Sequence, residues 1–484
     1  MMDAFTFACL NAVAVTLVLT LQRRLIFSWS AIGAFILANL VFVLIGVLSI
    51  PLFADLAAWR FSMYKLGLLT DDDLKRTIIL NVWGAGLVLG AYHMTHLMFK
   101  GGCVLRKGPN LLGLDPSIDQ LGFSPTRLLA IATVALLGSI VYAAGNAPLI
   151  VAGIQALFAG SQEGLLEARY QVGDNYLFIL SVFNVLPFLG VALQLVQRLQ
   201  RERKLRMLAL LFNTCTGALL LLTFHKRPLL VFLCSLLLAN VVTAGARAKR
   251  TPGRAGLVEV SDRGRRQSWR SLPRIGAYVV TVFVVLLVLY QLQTRAVTSV
   301  EDIQDAVVGI GALSGIAATT ILAGQAIPAA LLTHYYPALE PHYGLSNIGL
   351  VARLFGFDLY RPAYDAFDYF SVLETGTPNV DRIGGSLASP ALMDLYGAFG
   401  LVGWAFGAIA LGFALNRIDA AMVRLRADAG RSLLSIFVFV SAYYLSNASV
   451  ANTLLGYGGA IFVLLWFMLR MPLRPSSEAV LRAS

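Results

Sequence analysis

A chain of 484 residues with 58% hydrophobic and 13% charged side chains and a mean hydropathy of +0.73 is too apolar for an ordinary soluble domain. Its formal net charge of +12 does not point to nucleic acid, because the basic residues fall unevenly between hydrophobic runs and so report membrane orientation. Ionisable groups are almost missing from those runs, which argues against a proton-coupled or ion-coupled transporter.

A transmembrane helix needs roughly 20 predominantly apolar residues, and eleven runs qualify as candidates. In chain order they lie near Ala4–Leu21, Ser28–Ala54, Thr77–Phe99, Leu128–Ala144, Tyr176–Val196, Arg206–Phe224, Leu229–Ala246, Ile275–Leu292, Tyr396–Leu415, Ser432–Leu445 and Ala451–Leu469. The tenth is short. The first lacks a basic leader and runs into Gln22-Arg23-Arg24, so no cleavable signal peptide is expected. The fold class predicted is an all-α, polytopic integral membrane protein.

Charge orients the bundle. With the N-terminus outside, 27 of the 38 Lys and Arg fall on the inner side, while 18 of the 26 Asp and Glu fall on the outer side. The Arg-rich stretch Arg247–Arg274 then becomes a solvated cytoplasmic loop near anionic lipid. Val307–Leu332 is apolar enough to cross, but a crossing there would put Arg417–Arg431 and the tail outside. Helices along the outer surface, or a re-entrant hairpin broken near Pro328, fit the charge rule better. The division expected is residues 1–292 for spans one to eight, 293–395 for a long extracytoplasmic loop, 396–469 for spans nine to eleven, and 470–484 for a cytoplasmic tail. A loop that long is usually functional. Cys9, Cys215 and Cys234 lie in runs and Cys103 in an inner loop, so no disulfide is expected.

Chemistry-bearing residues concentrate on the outer side. His225-Lys226-Arg227-Pro228 joins the sixth and seventh runs and puts up to three cations at one bilayer face. Arg is the better bidentate donor to phosphate oxygens and Lys a compact charge. Arg353, Arg361 and Arg382 in the long loop could join them on an anionic headgroup such as pyrophosphate, the alternative being contact with lipid headgroups. The loop also carries His334, His342 and Asp365 as candidate catalytic residues, the histidines being groups that titrate near neutrality and can take a hydroxyl proton. Asp368, Glu340, Glu374 and Asp381 are alternatives. Tyr335, Tyr336, Tyr343, Tyr360 and Phe370 suit sugar stacking or an interfacial aromatic belt. Asp71-Asp72-Asp73 precedes the third run, where acidic residues favour a helix N-terminus, with metal binding the alternative. His93 and His96 read as polar helix contacts rather than a ligand pair.

The turn and run HKRPLLVFL resembles the Gly-x-Arg-x-x-Leu-Leu start of a span in bacterial O-antigen and exopolysaccharide polymerases. Asn379–Asp419 resembles their late segment, where a polar loop leads through a tyrosine, an aromatic residue and glycine into a Gly-rich span. The layout is similar over most of the chain, the specific motifs over about a tenth of it. The resemblance implies a GT-C-like glycosyltransferase of the bacterial inner membrane. Such an enzyme would polymerise undecaprenyl-pyrophosphate-linked repeat units at the periplasmic face, with no metal, cofactor or nucleotide sugar. Its partners would be the lipid-linked glycans, membrane lipids and a chain-length regulator. Arg227 matches the expected pyrophosphate ligand. The Arg-x10-Gly pattern of some polymerases is absent, since Tyr364, Val372 and Met393 stand eleven residues after Arg353, Arg361 and Arg382. The related O-antigen ligase, with a lipid A core acceptor, and a lipid-linked oligosaccharide flippase are the alternatives.

Overall fold

A computed structural model of the protein describes residues 30–40, 70–98, 121–159, 161–173, 176–200, 202–248, 328–336, 390–426 and 428–471, with residues 6–7 and 9–13 and positions 16, 46, 326 and 343. All regular structure among the described residues is helical. Five helices there are long and apolar enough to cross a bilayer: Asp72–Met98, Pro125–Gly145, Leu177–Gln200, Arg203–Leu222 and Ala391–Arg424. The architecture is that of a helical membrane protein, as physics requires of so apolar a chain. In lipid every backbone polar group must be satisfied internally, and a helix does this within one segment.

In chain order the helices are α1 (Ala31–Asn39), α2 (Asp71–Met98), α3 (Pro125–Gly145), α4 (Ala147–Phe158), α5 (Gln162–Gly173), α6 (Tyr176–Leu180), α7 (Leu186–Gln200), α8 (Arg203–Leu222), α9 (Lys226–Ala248), α10 (Ala391–Arg424), α11 (Ala429–Tyr444) and α12 (Gly459–Arg470). A π-helical turn, Ser181–Val185, joins α6 to α7, and a second, Asn452–Gly456, precedes α12. Several starts are written locally as N-caps. Ser30 accepts from Gly33 N, Ser124 from Arg127 N with Pro125 in the first turn, and Asp428 from Arg431 N at 2.8 Å.

The bundle has two unlike ends. At one, Gly430 N donates to Leu121 O, Ser124 N donates to Leu469 O, and Arg470 pairs with the buried Asp428 at 2.7 Å. The Trp466 indole N–H donates to Gly430 O at 2.7 Å, and Arg127 donates to the Met471 carbonyl. Arg203, Lys204, Arg424, Arg426 and Arg431 belong to helix termini at this end, which makes it the basic end. The opposite end gathers the start of α2, the α8–α9 turn, the end of α11 and both π turns. The described helices that cross the bundle alternate between these two ends.

Against α2 runs the crossing part of α10, parallel to it. Trp404 Nε1 donates to Leu80 O, Asn416 Nδ2 to Tyr92 O, and a side chain on Gly412 would meet Val88 O. Asp419 fixes the basic end of this pair. Its buried carboxylate accepts from Ala31 N at 2.9 Å, Ile32 N at 3.4 Å and the Tyr92 hydroxyl at 3.1 Å, so it caps α1 from a helix nearly 400 residues away. The expectation that the spans hold almost no ionisable group is amended here, since Asp394 and Asp419 are both buried within α10.

The ninth span also differs from expectation. Helix α10 begins at Ala391 rather than 396, and Leu392 and Met393 are buried, so the long loop does not reach 395. The helix reverses at Gly400, whose φ of 66° and ψ of −161° lie where essentially only glycine is at ease. Leu395 reaches the position of a Gly407 side chain, and Leu392 and Trp404 converge on Gly84, so 391–399 folds back along 401–424. Residues 391–399 are the first limb of a tight helical hairpin and run away from the basic end, and 401–424 is the crossing limb that runs toward it.

Helices α4 and α5 fill the connection between the fourth and fifth runs and pack on each other. Most of the first and second runs, all of the eighth and most of Val307–Leu332 lie outside the described residues. Residues 328–335 are helical, so Pro328 stands within a helical stretch there.

Candidate functional site

The α8–α9 turn is held by its own chemistry before any ligand is considered. The Thr223 hydroxyl donates to Leu220 O at 2.7 Å, and Phe224 closes α8 with a φ of 57°. A non-glycine residue there is strained, and the packing of its ring offsets the strain. The ring is buried against Leu165 and Ala168 of α5 and fills the space a side chain on Gly153 of α4 would take. His225 Nδ1 donates to Thr223 O at 2.6 Å, and its ring meets Phe183 edge-on at 5.0 Å. The ring thus has a structural part in the turn. Lys226 opens α9, and Pro228 sits in its first turn, where no backbone N–H is required.

Arg227 faces an aromatic pair. Tyr444 and Tyr457 stack with centroids 4.2 Å apart and planes 14° from parallel. The guanidinium carbon is 5.0 Å from the Tyr444 centroid and 5.4 Å from the Tyr457 centroid, within cation–π range. Rings that close together cannot sandwich a cation, so the guanidinium lies beside the stack. The Tyr443 hydroxyl is within hydrogen-bond reach of Arg227 and of the Asn447 side chain. Arg227 Nη2 is buried and finds no hydrogen-bond partner among the described residues. Ser446, Asn447 and Ser449 follow as a buried polar run, and Asn447 Oδ1 and Thr453 Oγ1 are likewise buried without partners among the described residues. Buried polar atoms are ordinarily paired, so Arg227 Nη2, with no partner among the described residues, is a donor that a charged, hydroxylated ligand could engage.

Both π turns border this region. Asn184 of the first donates to Gly456 O of the second at 3.2 Å, and Gly458, with φ of 81°, presses against the Asn184 side chain. π turns within helices are frequent at functional sites. Ala391 N donates to Leu445 O at 2.9 Å, which fastens the first limb of α10 to the same polar run.

A second group of polar residues lies at the start of α2. Thr70 and Asp73 form a capping box: Asp73 N donates to Thr70 Oγ1, and Asp73 Oδ2 accepts from Thr70 N at 2.9 Å and from its hydroxyl at 2.7 Å. Asp73 Oδ2 also accepts from His334 Nδ1 at 3.1 Å. The His334 helix is seated by a Thr77–Thr333 hydroxyl contact of 3.1 Å and by Arg76 reaching Thr333 O at 3.5 Å. Asp73 is buried and His334 partly exposed. Of the Asp71–Asp73 triplet, Asp73 thus caps the helix, and no group of three His, Cys, Asp or Glu among the described residues is placed to hold a metal ion.

The structure therefore brings Arg227 and His225 together at one turn with Lys226, and finds His334 at the same end of the bundle. His342, Asp365, Arg353, Arg361 and Arg382 lie outside the described residues, as do Tyr360 and Phe370. Tyr336 is buried, which removes it from both the aromatic belt and any sugar-stacking surface, whereas Tyr343 is exposed. His93 makes an edge contact with Tyr92. Sequence reasoning missed Tyr443, Tyr444, Tyr457, Asn184 and the Asp73–His334 contact. The signal available was the shortness of the tenth run, followed by the polar run Ser446-Asn447-Ala448-Ser449. No family model, curated protein or solved structure matches this chain.

Proposed function

We propose that the protein is a membrane glycosyltransferase that polymerises undecaprenyl-pyrophosphate-linked oligosaccharide repeat units into O-antigen or exopolysaccharide. In this reading it is a GT-C-like bundle of eleven spans in the bacterial inner membrane, with the Arg227 end facing the periplasm. The observation that carries the reading is the guanidinium of Arg227, set beside Tyr444 and Tyr457 with Nη2 uncommitted among the described residues, at the end opposite the basic one. Arg227 holds the pyrophosphate and stabilises the charge it gains as it leaves. His334 takes the proton of the acceptor hydroxyl. The hydroxyl oxygen bonds to the anomeric carbon as the bond from that carbon to pyrophosphate oxygen breaks. Undecaprenyl pyrophosphate departs with the bonding electrons.

Glycolipid analysis of a deletion strain tests the reading. Loss of a polymerase leaves single repeats on the final acceptor, loss of a ligase leaves polymer on the carrier lipid, and loss of a flippase leaves the lipid-linked unit on the cytoplasmic leaflet. Complementation with Arg227→Ala, inserted at wild-type level by immunoblot, is expected to leave single repeats. Normal polymer length in that strain would sink the proposal.

A further inference from the structure

The contact between Asp73 and His334 joins two segments 261 residues apart in sequence. The capping box of α2 does not require it. Asp73 already meets the Thr70 backbone and hydroxyl, and Thr70 already receives Asp73 N. His334 is an addition to a finished cap, and the Thr77–Thr333 and Arg76–Thr333 contacts hold the backbone that delivers it. A carboxylate can only accept, so the hydrogen shared with Asp73 sits on Nδ1 and the lone pair falls on Nε2. Among the described side chains, the other charged groups at the start of α2 are Asp72, Lys75 and Arg76, of which Lys75 pairs with Asp72 at 3.4 Å. Tyr335 and Tyr336 adjoin His334 on its own helix.

We infer that Asp73 is a positioning residue for His334: it fixes the imidazole in the tautomer whose Nε2 accepts the proton of the attacking sugar hydroxyl. The substrate in this statement rests on the polymerase reading; the pairing itself does not. The proton passes from the hydroxyl to Nε2 as the new glycosidic bond forms, and the imidazolium that results is stabilised by the Asp73 side chain on Nδ1. The arrangement follows the acid–histidine logic of hydrolytic triads, in which a carboxylate on Nδ1 sets the tautomer.

The test uses Asp73→Asn, Asp73→Ala and Thr70→Ala in the full-length protein. Thr70 and His334 share Asp73 Oδ2, so an amide oxygen at that place keeps the cap and the Nδ1–H contact and removes only the charge. Asp73→Ala removes the acceptor itself and releases the imidazole to carry its hydrogen on Nε2, and Thr70→Ala, which breaks the same cap without touching His334, is the control. Nitrogen spectra of histidine-labelled protein, assigned with His334→Ala, are expected to show Nδ1–H in the wild type, Asp73→Asn and Thr70→Ala, and Nε2–H in Asp73→Ala. Membranes carrying Asp73→Ala, supplied with the lipid-linked glycan extracted from a deletion strain, are expected to lose roughly 10²–10⁴-fold in kcat, the usual contribution of a general base, with KM for that glycan unchanged; Asp73→Asn loses less and Thr70→Ala keeps wild-type turnover. In a His334→Ala background Asp73→Ala is expected to add nothing. Nδ1–H persisting in Asp73→Ala, wild-type turnover in Asp73→Ala, or an equal further loss in the His334→Ala background would overturn the inference. Should wild-type membranes fail to extend the glycan, the polymerase reading falls alone, since the spectra need no substrate and still decide the pair.

Discussion

Replacing Arg227 by Lys separates charge from shape. The ammonium keeps the positive charge but gives up the planar fork, the contact with the Tyr443 hydroxyl and much of the interaction with the Tyr444 and Tyr457 rings. One hydrogen bond to a charged group contributes about 1.5–3 kcal/mol, and about 1.4 kcal/mol corresponds to tenfold. On the proposed function, loss of one arm of a bidentate contact to pyrophosphate should therefore lower kcat/KM by roughly 10–150-fold. Arg227→Ala removes both charge and fork; truncating one partner of a buried charged contact costs about 2–5 kcal/mol, which is roughly 30-fold to several thousand-fold. Tyr443→Phe leaves the guanidinium in place but loosens it, for about 1 kcal/mol or about fivefold. The assay is extension of extracted lipid-linked glycan by membranes carrying each variant at matched levels. The order expected is wild type, Tyr443→Phe, Arg227→Lys, Arg227→Ala. Activity of Arg227→Ala within threefold of wild type would show that the guanidinium only packs.

Gly400→Ala should cost about 1–3 kcal/mol, because a Cβ is forced into the conformation that reverses α10; a lowered midpoint for thermal unfolding in detergent measures it. Asp419→Ala leaves Ala31 N, Ile32 N and the Tyr92 hydroxyl without their acceptor in a buried place, for about 1–3 kcal/mol per donor, whereas Asp419→Asn retains one oxygen and should fall between it and wild type. Asp428→Ala removes both the cap of α11 and the partner of Arg470, and a loss of about 3–5 kcal/mol is expected. Asp428→Asn keeps the cap, worth typically about 1 kcal/mol, so it should unfold at a higher temperature than Asp428→Ala.

The helices were legible where length and hydropathy decide them. The starts of α3, α8 and α11 lie within a few residues of the expected runs because membrane spans are set by composition over a window. The reversal of α10 was not legible, for a physical reason. Ala398-Phe399-Gly400-Leu401-Val402 is apolar throughout, so hydropathy stays high across the bend and only a backbone angle reveals it. Winding in the two π turns is equally invisible to composition. Arg227 was legible from its turn, but its tyrosines come from α11 and the segment before α12, over 200 residues away. His334 was singled out as a titratable group, and Asp73 was read as a cap. That both descriptions meet on one oxygen atom depends on tertiary packing alone.

Why the candidate site lies at the Arg227 end follows from how each end satisfies its backbone. At the basic end, helices finish regularly and side chains close them: Asp428 caps α11, Trp466 takes Gly430 O, and Asp419 caps α1. At the other end two helices abandon the α pattern within reach of each other, and each π turn shifts carbonyls away from their usual partners. In a membrane such a shift is tolerated only where protein or a polar cavity takes the displaced groups. Asn184 does this for Gly456 O, which locks the two irregular turns together and fixes Tyr457 against Tyr444. The same departure from regular winding that costs hydrogen bonds thus places the aromatic pair beside Arg227. A cation, a rigid flank beside it and polar atoms without partners among the described residues are what the anionic headgroup of the proposed substrate would need.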